Sequence, residues 1–274
     1  MKKTLAIVLV LLLTLSFVSC GKSGSDSDKK VLRVGMECGY APYNWAQSSD
    51  VNGAVPIKDS SDYAYGYDVM MAQYLADKMG YELEIYKIDW DSLPIAVQSG
   101  TIDCVIAGQS ITAERLESVD FTTPYYYASI VAVTTKGSPF ENAKSVAELE
   151  GAVCTSQLNT VWYDVCLPQI KNAEIKPAME SAPTMLIALD SGKVNLVVTD
   201  EPTALGAAAV YPNMVTLNLS DGDFAVSEEE INIGISVKKG NTELLDALNA
   251  GLATLTVDDF TKMMQDAIKA SSNL

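Results

Sequence analysis

Arg115 and Asp200 stand just beyond two similar apolar runs, and their opposite charges together would suit a small zwitterion. A guanidinium grips a carboxylate through two parallel hydrogen bonds, and backbone amides at 108–110 can add further donors. Arg115 falls in the first turn of a helix opened by Thr112 as N-cap, where a cation opposes the positive end of the helix dipole. A cation placed against that preference points to an anion nearby. Surface pairing with Glu114, Glu117 or Asp120 would account for the same residue. Asp200 ends an apolar strand, where open α/β sheets present ligand contacts, and its carboxylate can take an ammonium group. It serves equally well as the N-cap of a helix beginning at Pro202. Thr160 is likewise either an ordinary cap or the edge of a helix terminus that holds a carboxylate oxygen. Tyr40 and Trp90 both follow strands at the same sheet edge, and aromatic faces can sandwich an aliphatic or cationic side chain. Glu37, also past a strand end, can meet a basic side chain or the local backbone.

The elements that must position these residues carry a repeat. Ser99-Gly-Thr-Ile-Asp-Cys-Val-Ile106 recurs loosely as Ser191-Gly-Lys-Val-Asn-Leu-Val-Val198, 92 residues later. Each copy follows an apolar helical stretch and runs into a short strand, which implies one chain built as two similar α/β lobes. Strands are expected at 31–35, 81–85, 102–107 and 128–134, with a polar loop over 46–62. Asp68 is expected to cap a helix with Val69, Ala72, Leu75 and Met79 on its apolar side and Gly80 at its close. A further helix starts at Asp91 or Ser92 and tolerates Pro94 in its first turn. The turn at 136–139 reads as a crossing into the second lobe. There, strands at 152–155, 174–177 and 194–199 alternate with helices from Thr160 and over 183–190. Residues 231–237 form a returning strand, and helices at 242–254 and 258–270 close the chain. The alternation predicts parallel sheets with helices on both faces. Lobe one then comprises 31–134 and 235–274, lobe two 135–234, and two adjacent crossings make a hinge.

The chain has 274 residues, of which 1–19 read as a secretory signal: Lys2 and Lys3, an apolar run over 5–15, then small residues. The run is too short for a membrane-spanning helix. Cys20 after Val18-Ser19 resembles a bacterial lipobox, with Phe17 in place of its usual leucine, so Cys20 is expected to be acylated. Residues 20–30 form a small, polar, flexible tether. The net charge of −16 argues against nucleic acid as a partner. The chain contains no histidine, which excludes Ser-His-Asp and Cys-His machinery and every His-ligated zinc pattern. Cys38, Cys104, Cys154 and Cys166 show no C-x-x-C spacing, so neither a metal nor a redox motif is expected. A disulfide between Cys154 and Cys166 stays open.

Several ordered motifs resemble the bacterial extracellular solute-binding proteins, family 3, which take up polar amino acids. They are Tyr40-Ala-Pro-Tyr43, Gly66-Tyr-Asp68, Trp90-Asp-Ser-Leu93, Ser99-Gly-Thr-Ile-Asp103, Gly108-Gln109-Ser110-Ile-Thr-Ala-Glu-Arg115 and Asp120-Phe-Thr-Thr-Pro-Tyr125. The resemblance implies a two-lobe periplasmic-binding-protein-like fold, each lobe a mostly parallel sheet flanked by helices, joined by a two-strand hinge. It implies that Arg115 binds a ligand α-carboxylate with help from Ser110 and Thr160. Asp200 then takes the α-ammonium, with carbonyl help near Gly108, while Tyr40 and Trp90 stack on the side chain and Glu37 meets a basic or amide end. Gln109 and Gln157 belong to the same loops. Gln157-Leu-Asn159-Thr160 departs from the commoner Q-L-G-T form, and Gly108 stands where many relatives have serine. The implied function is the receptor of an ATP-driven importer: a monomer held by lipid at the outer face of the cell membrane, handing an amino acid to a permease and needing no cofactor. A dehydratase of the cyclohexadienyl type, on a similar fold, and a ligand-sensing module are the alternatives. Asp200 opposite Arg115 favours binding.

Overall fold

Two five-stranded sheets account for the repeat. The structure is a computed structural model that describes residues 30–220 and 222–272. The expected signal segment and Cys20 lie outside the described residues, and every contact below is within the unit Val31–Leu274. The first sheet runs, edge to edge, through Glu82–Lys87, Val31–Met36, Cys104–Val105, Ser236–Lys238 and Val119–Phe121. The second runs through Glu174–Ile175, Val153–Thr155, Leu196–Asp200, Ile130–Thr135 and Met214–Thr216. In each sheet the first three strands are parallel, the fourth runs opposite to both of its neighbours, and the fifth points the same way as the first three. Each sheet is thus mostly parallel, as expected, with a single strand reversed. The reason lies in the crossings: the fourth strand of each sheet enters from the other lobe and runs opposite to the strands beside it.

The two octets occupy the same place in the two sheets. Val34 lies opposite Cys104 in one, and Cys154 opposite Leu196 in the other. Asp103 accepts from the Arg33 amide at 2.8 Å, and Asn195 accepts from the Val153 amide at 2.9 Å. Each residue also donates its own amide to the carbonyl of the same partner. Gly100 and Gly192 take positive φ, 80° and 72°, and end the helices that precede the strands. The repeated octet is thus a helix stop, a turn and a side-chain clamp between the first and third strands.

The crossing strands are Tyr126–Tyr127 and Asn232–Ile233, paired antiparallel. Ile130–Thr135, expected to finish the first lobe, belongs to the second sheet, so the first crossing precedes it. An apolar run does not say which sheet it joins, and the Gly/Pro break at 136–139 is a turn beyond that strand, closed by Ser138 N–H on Thr135. The expected loop at 46–62 contains parts of a small antiparallel sheet ordered Gly39–Tyr40, Asn44–Gln47, Tyr63–Tyr65 and Val55–Pro56. Strands this short, some with polar residues, show no usable alternation. The expected strand at 102–107 pairs only over Cys104–Val105, although Ile106 and Ala107 stay buried.

Helix Tyr67–Met79 buries Val69, Ala72 and Leu75 and ends on Gly80 in the left-handed region. Its N-cap is Gly66, not Asp68. The backbone at 42–43 takes the capping role: Tyr67 N–H donates to Pro42 and Asp68 N–H to Tyr43. Only glycine allows that approach, because a Cβ at residue 66 would lie 2.3 Å from the Tyr43 carbonyl oxygen. Asp68 is left free to turn inward. The second lobe opens on a π-turn, Trp162–Cys166, and a 3-10 turn, Leu167–Gln169, in place of the expected α-helix. Cys38, Cys104, Cys154 and Cys166 are all buried free thiols, which closes the question of a Cys154–Cys166 disulfide. Among the described residues no helix is long and apolar enough to cross a membrane.

Candidate ligand-binding site

The residues singled out in the sequence converge between the two sheets. A cavity of about 20 Å³ is lined by Glu37, Tyr40, Trp90, Gly108, Ser110, Arg115, Gln157 and Thr160, with Ala107, Val161 and Trp162. It opens beside a larger cavity of about 720 Å³ that Arg115, Trp90 and Thr160 share with Gln109, Asn159, Asp91, Glu114, Asp164 and Glu230. Gln109 and Asn159 thus line the outer cavity and not the inner one. Asp200 lines neither and touches the inner one through Tyr40. The inner volume is that of about one water molecule, so any larger ligand requires the walls to part.

The groups of the two lobes satisfy each other across this cleft. The Tyr40 hydroxyl donates to the Asp200 carboxylate. Asp200 also accepts from the Thr203 amide at 2.9 Å and hydroxyl at 3.0 Å, so it is both the cap of helix Glu201–Val210 and the partner of a tyrosine that lines the cleft. The two readings of its sequence position are compatible. The Arg115 guanidinium donates to the Ser110 carbonyl on its own lobe and to the Asn159 carbonyl on the other, each at 2.8 Å. It lies 5.2 Å from the centroid of the Trp90 ring, so that ring supports the arginine. Surface pairing with its acidic neighbours is not its arrangement: Asp120 instead pairs with Lys239 at 2.8 Å. Thr112 caps the short helix Ala113–Ser118 by accepting from the Arg115 amide, as expected.

Glycine at 108 is required by the packing. Its φ is 61°, and a Cβ would come within 2.6 Å of the Tyr40 ring. The substitution at 159 is absorbed by the backbone. Asn159 has φ 54°, a left-handed conformation that asparagine tolerates better than other non-glycine residues, and its amide donates to Asp91 across the cleft at 2.7 Å. Thr160 donates to the Gln157 carbonyl at 2.6 Å, and Gln157 reaches Glu37 at 3.3 Å. Tyr40 stacks on Tyr43 at 4.7 Å between centroids, and the tilted Trp162 ring lies 6.3 Å from it.

The electrostatics follow from burial. Glu37 is pushed up to about 7 by desolvation, against the pull of its bond from Gln157. Asp200 is raised for the same reason, opposed by its bonds from Tyr40 and Thr203. Desolvation lowers the Arg115 guanidinium to about 10. Each of these groups would be stabilised as an ion by an opposite charge brought into the cleft.

Residues 32–268 match the bacterial extracellular solute-binding proteins, family 3. The chain belongs to that family. Family 3 relatives include the arginine-binding extracellular protein ArtP of Bacillus subtilis, 32% identical over 59% of this chain and 58% of that protein. A probable histidine-binding protein of Campylobacter jejuni is 27% identical over 95% of this chain and 96% of its own length. Among solved structures, an amino acid ABC transporter substrate-binding protein, AbpA, of Streptococcus pneumoniae bound to L-arginine superimposes with a TM-score of 0.75. It is 25% identical and covers 88% of this chain and 95% of its own. The two-lobe architecture of this family 3 protein is thus the one its solved neighbours share. Sequence reasoning missed Trp162 and the inward turn of Asp68. Trp162 was accessible, standing two residues beyond Thr160; Asp68 looked like an ordinary cap.

Proposed function

We propose that this protein is the extracytoplasmic receptor of an ATP-driven amino-acid importer and that its preferred cargo has a basic side chain. Arg115 and Asp200, presented to one cleft from opposite lobes, carry the reading. Arg115 now donates to two carbonyls; a ligand carboxylate would offer the guanidinium a charged, bidentate partner instead. Asp200 would exchange the Tyr40 hydroxyl for an ammonium group. The side chain would then extend over Tyr40 toward Glu37, whose ionised form a cation stabilises. Ser110, Thr160 and Gln157 would complete the polar walls, with Gln109 and Asn159 behind them. Glu37, half-buried, and the buried Asp68 and Asp200 outnumber the half-buried Arg115, which favours a ligand of net positive charge, as do the relatives that bind arginine. Closure would bury both ion pairs and strengthen them.

No group in this arrangement needs to make or break a bond, and the loaded, closed form would dock on the permease. The signal at 1–19 and acylation of Cys20 would hold the protein, as a monomer, at the outer face of the membrane. Cys20→Ala should move it from the detergent phase to the aqueous phase of lysed cells.

The function is tested by a thermal-shift screen over the twenty amino acids, because a ligand that binds only the folded state raises its melting point. Arginine or lysine should give the largest shift, and no shift with any of the twenty would discard the proposal. Arg115→Ala should abolish the shift while the unliganded protein still melts cooperatively; unchanged calorimetric affinity would remove Arg115 from the site. Turnover of prephenate or arogenate would replace binding by catalysis.

A further inference from the structure

Asp68 lies beneath the candidate site, close to the Gly108 backbone. It is completely buried, as are Asn44 and Tyr125, which flank it. One carboxylate oxygen accepts from the Tyr125 hydroxyl at 2.6 Å, and the other from the Asn44 amide at 2.8 Å. Tyr125 in turn accepts from the Gly108 amide at 3.1 Å, and Asn44 accepts from the Cys38 amide at 2.8 Å. Two chains of hydrogen bonds therefore leave one carboxylate. One ends on the loop that leads through Ser110 to Arg115, and the other on the segment between Glu37 and Tyr40. Tyr125 also immediately precedes the crossing strand Tyr126–Tyr127, and its own carbonyl is held by the Tyr67 hydroxyl at 2.5 Å. The cap of helix Tyr67–Met79 does not use Asp68; its first turn favours an acid but does not require that acid to be buried.

We infer that Asp68 is a positioning residue that sets the two ligand-facing loops of the first lobe in register with each other and with the hinge. A carboxylate suits the task because it offers acceptors on both sides and no donor, matching the two donors that face it. An asparagine would turn an amide toward one of them. Gly108 lines the inner cavity, and its amide is held by Tyr125 at a positive φ of 61°.

The inference rests on the reading of these loops as an amino-acid site, and the test separates the two. Wild-type protein is titrated by calorimetry with the amino acid that gives its largest melting shift; no binding at all would sink the functional reading and leave Asp68 without a role in it. Given wild-type binding, Asp68→Asn should weaken affinity at least tenfold in protein that still melts cooperatively. The exchange Asn44→Asp with Asp68→Asn is the decisive rescue. The amide introduced at position 68 would donate to the carboxylate introduced at position 44 and accept from Tyr125. That carboxylate would still accept from the Cys38 amide, so each hydrogen bond is restored with the charge moved to the neighbouring side chain. Affinity should return to within about threefold of wild type. Wild-type affinity in the single variant, or an exchange variant as weak as the single one, overturns the inference. If Asp68→Asn does not fold, Tyr125→Phe removes only the hydroxyl that links Asp68 to Gly108 and should weaken binding in the same direction; unchanged affinity there also overturns it.

Discussion

Glu37 shows how far a residue can be read from its type and how much its setting adds. An acid past a strand end could serve a basic side chain or the local backbone; in the structure it accepts from Gln157 of the other lobe and is pushed up to about 7 by burial. Asp68, raised to about 6, and Asp200 are buried acids of the same kind. Each binds its proton more firmly folded than unfolded, so between about pH 4.5 and 7 the folded state carries more protons and stability falls as pH rises. The unliganded protein should therefore show a higher urea midpoint at pH 5 than at pH 7. A cationic ligand reverses the preference by stabilising ionised Glu37. Affinity for arginine should rise with pH up to about 7 and then level, and calorimetry in buffers of different ionisation enthalpy should show more protons released with arginine than with glutamine. Equal release with both ligands would separate Glu37 from the side-chain pocket. Arg115 was legible because a cation in a helix's first turn opposes the dipole, and Asp200 because a charge ending an apolar strand is unusual. Asp68 was not, because a side chain next to a helix start gives no sign of whether it faces outward or in.

At the scale of elements, the duplicated octet is explained by its fifth residue. Asp103 and Asn195 each hold the amide of a neighbouring strand, and Asp103 adds a bidentate pairing with Arg33 at 2.6 and 3.0 Å. Asn195→Ala would leave the Val153 amide without its partner and should cost about 1–3 kcal/mol, read as a lowered denaturation midpoint with an unchanged slope. Asn195→Asp copies the first octet's acceptor and should cost less; equal losses would mean that the clamp contributes nothing. Most helices were legible from periodicity, as in the helix expected at 258–270 and found over Val257–Ser271. The small sheet at 39–65 and the π-turn at 162–166 were not, since two- to five-residue elements are held by their neighbours and not by their own pattern.

At the scale of the molecule, closure depends on polar contacts between lobes: Tyr40 to Asp200, Gln157 to Glu37, Arg115 to Asn159 and Asn159 to Asp91. Tyr40→Phe keeps the aromatic face and removes one of them, leaving Asp200 with its Thr203 donors. Small-angle scattering should give the ligand-free variant a larger radius of gyration than the wild type, and saturating amino acid should bring both to one value. Identical ligand-free radii would show that this contact does not bias the lobes. The sequence by itself determined the two-lobe repeat, most of the helices and the charged residues beyond each octet, because periodicity and charge are local properties of the chain. Only the tertiary structure decided which sheet receives Ile130–Thr135, that Asp200 meets Tyr40, and that Asp68 turns inward. Those outcomes depend on which backbone groups reach which neighbours across the fold, as when the 42–43 carbonyls relieve Asp68 of capping a helix.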